Sequence, residues 1–278
     1  MHAGRHAGTP AASQGAVDIR APGHEDKGVS AGVGGTSRDL DGRGPTIVSL
    51  REVSDSTVDV LYRTVLQPSF PPNELIEREA VQAEVGPDGV DLGFVAVDEG
   101  EPVACLLGEY YPAGEILLIG YLASRPDQRG RGVGRALVAT ALDAWTRAAP
   151  SALVLLEVED PRWHSSTTHG DPVARLRFYA REGARLLDIE HVQPALEPGG
   201  ERVPHLLLLA LGATATEVDR TVVHAFLAEY FAVCEGEPDP ADDQLAAVLA
   251  QVEPEAGGPV RLLPPDLWPE GLLTGAAT

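Results

Sequence analysis

The chain has 278 residues, 44% of them hydrophobic, and sets 42 acidic side chains against 21 basic ones for a formal net charge of −21. That length can bury a sizeable core, as one large domain or one domain with an extension. The acidic excess argues against a nucleic-acid partner, which needs a basic face, and favours cationic ligands. Cys105 lies in an apolar run and Cys234 near a helix end, so neither a disulfide framework nor a metal site is expected, and a reduced, cytoplasmic setting fits. No apolar run approaches the ~20 residues that span a bilayer, and the N-terminus lacks the apolar stretch of a signal peptide, so no membrane association is expected.

Residues 1–44 are rich in Gly, Ala and Ser, carry five basic and five acidic residues, and show no apolar period. This tail is expected to be disordered. Its histidines, His2, His6 and His24, have no ligand spacing. Folded sequence begins near Pro45 with a strand over 46–52, then a helix with Val58, Leu61, Tyr62, Val65 and Leu66 on one face. Prolines stop that helix at 67–73 and hold an exposed Phe70, and a second short helix carries Leu75, Ile76 and Val81. Strands over 92–97 and 102–111 form a hairpin around 98–101, and an almost wholly apolar strand over 115–124 implies burial on both faces.

That strand leads into residues 124–145, on which the chain is organised. Gly130, Gly132 and Gly134 precede a stripe of Val133, Leu137, Val138, Ala141, Leu142 and Trp145. Several backbone N–H groups can there converge on one anion, at a helix end that is already electropositive. Arg125, Arg129, Arg131 and Arg135 cluster on this loop in an otherwise acidic chain. A nucleoside-triphosphate loop needs Gly-Lys-Ser/Thr, whereas Arg135 follows Gly134; a dinucleotide fingerprint needs glycine where Arg135 stands.

After the helix, a strand over 152–159 must lie parallel to the one before the loop. Alternation puts Leu153, Leu155, Glu157 and Glu159 on one face and Val154, Leu156 and Val158 on the other. Glu157 and Glu159 therefore reach the C-terminal end of the strand, where open α/β sheets collect ligands. A loop over 161–170 holds Trp163, His164 and His169. Asp171-Pro172 then opens a helix as N-cap and first helical residue, and Gly183 closes it. Residues 184–191 and 203–211 read as two closing strands around a turn at 197–200.

Three motifs occur in order: Leu122-Ala123-Ser124 before the Arg129-x-x-Gly132-x-Gly134 loop, Leu156-Glu157-Val158, and Phe178-Tyr179 with Gly183. With the order of elements, they resemble the GNAT superfamily of acyl-CoA-dependent N-acyltransferases over about 46–212. The resemblance implies an α/β (α+β) fold, a mixed central sheet flanked by helices, and acetyl-CoA as cosubstrate. Free backbone groups at Leu122, Ala123 and Ser124 would hold the pantetheine arm. Arg129, Gly130, Arg131, Gly132, Val133, Gly134 and Arg135 would hold the pyrophosphate. Tyr179 would donate a hydrogen bond to the leaving sulfur. The glutamate that the histone-modifying branch carries stands near Leu118 here and is absent. Leu-Glu-Val with a later Tyr is similar instead to the branch that acetylates protein N-termini, which makes Glu157 the expected proton acceptor, with Glu109 and Tyr121 as alternatives. The usual Asn before the tyrosine helix is absent and the 161–170 insertion is longer, departures that favour a small-molecule amine over a peptide.

Residues 213–278 carry twelve acids against two arginines. Thr214-x-x-Glu217 reads as a capping box opening a helix with Val222, Val223, Phe226, Leu227, Tyr230, Phe231 and Cys234, and a second helix follows from Asp239-Pro240. The three segments are thus a tail (1–44), an N-acetyltransferase domain (45–212) and an acidic helical extension (213–278). The extension's apolar face needs a partner: the domain itself, the rim of the acceptor site, or a second subunit in a homodimer. The activity expected is acetyl transfer to a primary amine of a small molecule, with protein N-terminal acetylation and a non-catalytic CoA-binding regulator as the other readings.

Overall fold

A computed structural model describes residues 44–270 and 272–273. The expected disordered tail over 1–44, with His2, His6 and His24, lies outside the described residues apart from Gly44. Strand β1 (Thr46–Ser49) pairs antiparallel with β2 (Gly93–Asp98), β2 with β3 (Glu101–Tyr111) and β3 with β4 (Ile116–Ser124). The turn between β2 and β3 has positive φ at both Glu99 and Gly100, the backbone twist that suits a two-residue hairpin. Helix α1 (Asp55–Leu61) runs on into a π turn (Tyr62–Leu66), and its apolar stripe buries Val58, Leu61, Val65 and Leu66.

Helix α2 (Val133–Ala148) carries the chain from β4 to β5 (Leu153–Glu159), which lies parallel to β4. Helix α3 (Pro172–Arg181) follows, capped by the Asp171 side chain with Pro172 in its first turn. Strand β8 (Val203–Leu211) lies antiparallel to β5, and its other side takes β6 (Arg185–Leu187) and β7 (His191–Gln193). Strand β10 (Val260–Leu263) pairs with β6 and with β9 (Glu217–Val218), completing a ten-stranded sheet among the described residues.

Alternation sorts the core. Val154, Leu156 and Val158 pack with Leu137, Val138, Trp145, Leu176 and Tyr179 under α2 and α3. On the opposite face, Leu155 packs with Leu118, Leu208, Phe226, Leu227 and Tyr230 under α4 (Arg220–Glu235) and α5 (Asp243–Ala250). Beside them, α1 covers Val95, Cys105, Tyr121 and Ala123. The broad apolar face of α4 is therefore covered by this chain's own sheet.

Several local expectations need correction. Strand β1 stops at Ser49, whose hydroxyl caps a 3-10 turn over Leu50–Glu52. The second short helix is two separate 3-10 turns, Pro72–Glu74 and Arg78–Ala80. Phe70 is half-buried, edge-on to Tyr121 with ring centroids 5.0 Å apart. The strand expected over 184–191 breaks where Ile189 N–H donates to the Leu187 carbonyl at 2.9 Å, a tight bend between β6 and β7. The capping box at Thr214 does not form, because Glu217 and Val218 are drawn into pairing with β10. Asp219 caps α4 instead, accepting from Thr221 N–H at 2.8 Å, and Asp242 caps α5 three residues beyond Asp239. The C-terminal segment, expected to be helical, thus also supplies two strands.

Arg202 ties this segment to the sheet. Its guanidinium donates to Glu235 Oε1 and Oε2 at 2.7 and 2.5 Å, pairs with Asp242, and lies 5.0 Å above the Phe231 ring. All three charged side chains are at most one-fifth exposed. The Arg202→Ala variant is expected to lose about 2 kcal/mol, since charged hydrogen bonds in partly buried settings contribute roughly 1.5–3 kcal/mol; a thermal melt should fall by roughly 4–8 °C. Asp242 is held down at about 2, first by the Arg202 hydrogen bond, and Glu235 is lowered by the same partner. Both carboxylates have depressed folded-state pKa values, so their contribution is present above pH ~4 and is lost as pH falls toward the folded values. The melting difference between wild type and Arg202→Ala should shrink on acidification.

Candidate active site

Strands β4 and β5 pair only from Ile116–Leu153 to Ile119–Leu156, though both continue. On the other edge of β4 the register jumps: Leu107 faces Tyr121 while Gly108 faces Ile119, so Gly120 is an extra, unpaired residue. Such a bulge bends its strand and raises its twist, and here it sits at the residue where β4 leaves β5. Beyond it the β5-facing edge of residues 120–124 has no strand neighbour among the described residues, and a cavity of about 710 Å³ opens between the strands.

Leu122, Ala123 and Ser124 line this cavity from β4, and Arg129, Gly130, Gly132, Val133, Gly134 and Arg135 line it from the loop and α2. The loop turns at Gly130 and Gly132, with φ of +77° and +82°, a region costly for any residue with a Cβ. A Cβ built on either would meet no atom within 4 Å, so both glycines leave open space before the helix. The first intrahelical bond there is Ala136 N–H to Gly132 O, at 3.0 Å, which leaves the N–H groups of the first turn free for an anion. Arg175 and Arg181 add positive charge from α3. Two of the four clustered arginines do not join the cavity. Arg125 is held by a two-pronged bond to Asp127 at 2.7 and 2.9 Å, and Arg131, expected at the pyrophosphate, leans toward Gln128 Oε1 at 3.5 Å.

Tyr179 lines the cavity from α3, 5% exposed, and burial raises its hydroxyl to about 12, against a smaller lowering by Arg175. Among the described residues no hydrogen bond engages that hydroxyl. Glu157 is on the opposite face of the sheet, yet the gap lets it line the same cavity. Its Oε1 meets His191 Nε2 at 2.5 Å, and its Oε2 accepts from Gln193 Nε2 at 2.7 Å and Tyr230 Oη at 3.0 Å. His191 is 2% exposed, and its Nδ1 has no partner among the described residues. With no acceptor beside Nδ1, the tautomer that fits carries its proton on Nε2 and donates it to Glu157.

A second, smaller cavity of about 80 Å³ lies on the α4 side of the gap, with Phe70, Gly120, Glu157 and Arg175 common to both cavities. Its carboxylates are Glu74, Glu109, Glu157 and Glu159, and among the described residues Arg175 is its only basic lining residue, bonded to Glu159 at 2.9 Å. Burial raises Glu74, with Glu159 adding to the effect. Burial likewise raises Glu109, partly offset by the Tyr111 hydroxyl that donates to it at 2.5 Å. Tyr121 is a fastener: its hydroxyl accepts from Ile76 N–H and donates to the Glu74 carbonyl, both at 3.2 Å.

Residues 91–183 match the family model of the acetyltransferase (GNAT) domain. The match takes in β2 to α3, the bulge, the glycine loop, Glu157 and Tyr179. Residues 91–183 form a GNAT acetyltransferase domain. Acetyl-CoA is the acyl donor of this family, and the cationic loop, open glycines and free strand edge suit its pyrophosphate and amide-bearing arm. No curated protein matches the chain. Among solved structures, it is similar to a Bacteroides thetaiotaomicron protein described as a GNAT-family acetyltransferase, at 19% identity and a TM-score of 0.48, covering 69% of this chain and 99% of that one. It is also similar to Ard1 from Thermoplasma volcanium (19%, TM-score 0.42, 61% and 99% covered) and to the ribosomal-protein-S18-alanine N-acetyltransferase from Escherichia coli (19%, TM-score 0.41, 60% and 92% covered).

The structure brings together at this GNAT cleft every expected site residue except Arg131. Sequence reasoning missed His191, Gln193, Tyr230 and the bulge at Gly120; a lone glycine inside an apolar strand was the available signal for the last. Gly132→Ala is expected to weaken CoA binding about tenfold, ~1.4 kcal/mol, by forcing a Cβ into left-handed backbone where the first turn of α2 must stay open. Calorimetric titration should show Arg131→Ala binding CoA within about threefold of wild type, the change expected of a screened surface charge.

Proposed function

We propose that the chain is an N-acetyltransferase that moves the acetyl group of acetyl-CoA to a primary amine of a small, cationic molecule, the amine attacking the thioester directly. The observation that carries this reading is the meeting of two cavities at Glu157, one cationic and lined by the glycine loop, the other small and acidic. The donor would reach the gap from the α2 and α3 face and the amine from the α4 face, so that strand geometry sets the two reactants in line. Leu122, Ala123 and Ser124 would hold the arm of the donor by their free edge. Arg129, Gly130, Gly132, Val133, Gly134 and Arg135 would hold its pyrophosphate.

Glu157 would take the amine proton, directly or through one water. A carboxylate offers about four lone-pair sites, and three donors occupy Glu157, which leaves room for one more. Tyr179 would face the sulfur. With its hydroxyl at about 12 and a thiol near ~8.5, full proton transfer to the departing thiolate is uphill by about 5 kcal/mol. Tyr179 therefore acts as a hydrogen-bond donor that stays protonated. The size of the second cavity supports a small amine over a polypeptide: it measures about 80 Å³, with Leu196, Leu206, Tyr230 and Cys234 in its lining.

Thiol release from acetyl-CoA over a panel of small amines and N-terminal peptides tests the reading. Turnover should be found with small di- or polycationic amines in preference to peptides, and CoA binding without turnover on any amine would overturn it. Tyr179→Phe should lose about 100-fold in kcat, the usual worth of one oriented donor, with CoA affinity within about twofold. Glu157→Gln should lose about 10²–10³ in kcat.

A further inference from the structure

The three groups on Glu157 all lie outside residues 91–183: His191 and Gln193 are on β7, and Tyr230 is on α4. They come to Glu157 from 34, 36 and 73 residues away, so the convergence is a product of the sheet and of α4 packing. Gln193 and Tyr230 both bond Oε2, whereas Oε1 carries His191 alone. Two donors fill the lone-pair sites of Oε2, and the open site is on Oε1. Tyr230 is itself held on both sides, edge-on to Tyr111 at 5.3 Å and stacked on Phe226 at 5.5 Å. A ring so packed presents its hydroxyl in one place. Burial, then the charge of Glu157, pushes the Tyr230 hydroxyl well above the usual tyrosine range, which keeps it a donor.

We propose that Tyr230, from a helix beyond the family domain, is a positioning residue that fixes Glu157 through Oε2 and leaves Oε1 as the proton-accepting oxygen. This rests on Glu157 having the role given above. The C-terminal segment is then part of the catalytic machinery. Without the Tyr230 bond, Glu157 keeps only His191 and Gln193, and displacement of about 1 Å from reacting geometry can cost as much as 10²-fold.

A double-mutant cycle over Tyr230→Phe and Glu157→Gln tests this, with kcat, KM for acetyl-CoA, CoA affinity and thermal melting read for each form. Tyr230→Phe keeps the ring between Tyr111 and Phe226 and removes only the hydroxyl. It should lower kcat about tenfold, leave KM for acetyl-CoA within about twofold, and lower kcat no further in the Glu157→Gln background, because a residue acting through another is not additive with it. Gln193→Leu, which removes the other Oε2 donor, should repeat the split and serves if Tyr230→Phe melts too low to assay. Wild-type kcat in both variants, or an equal loss with and without Glu157, would overturn the positioning role. Full activity in Glu157→Gln alone would overturn the assignment of Glu157 itself, and that result is read before Tyr230 is touched.

Discussion

The geometry of the cleft depends on two neighbouring parallel strands separating after four residue pairs. A strand edge without a neighbour leaves backbone N–H and C=O groups that an extended ligand can pair with. The bulge at Gly120 sets where the separation begins. The parallel pairing below it, backed by α2 on one face and by Phe226 and its neighbours on the other, keeps the rest of the sheet closed. The edge offers backbone groups to an amide-bearing arm, and the glycine loop after β4 lines the same cavity.

The same separation breaks the barrier between the two faces of the sheet. Glu157 and Tyr179 belong to opposite faces, and in an unbroken sheet they would have no common space; here both line one cavity. The division of charge follows the faces. Arg129, Arg135 and Arg181 gather on the α2 and α3 side, where Asp171 and Glu182 also stand, and Glu74, Glu109 and Glu159 on the side covered by α4. The two regions of charge meet at the gap, where Glu157 and Arg175 line both cavities. Helix α4 closes the acidic side, anchored at its end by Arg202 through Glu235.

Much of this was legible in the residues. The stripe on α2, the two-faced alternation on β5, the Asp171-Pro172 helix start and the glycine loop are all determined within a few residues, and each stands where its pattern put it. What failed was decided at long range. Thr214 and Glu217 form a sound capping box on paper, but Glu217 and Val218 pair with a strand more than forty residues later, and local capping yields to that pairing. The partners of Glu157 were invisible for the same reason: His191 and Gln193 alternate on a short strand, and nothing local says that this strand lies beside the end of β8. Tyr230 read as one apolar-face residue among several, and only its ring follows that pattern; its hydroxyl points to Glu157. Arg131 parts from Arg129 and Arg135, since a cluster of arginines in sequence diverges once the loop turns at Gly130 and Gly132.

The claim that the parted edge of β4 is where the donor lies has a direct test in backbone amide exchange with and without saturating CoA. The account predicts slowed exchange confined to residues 120–124 and 130–136, with the paired stretch 116–119 and the β2–β3 hairpin unchanged. Protection spread over the sheet, or located at a surface away from β4 and the glycine loop, would contradict it.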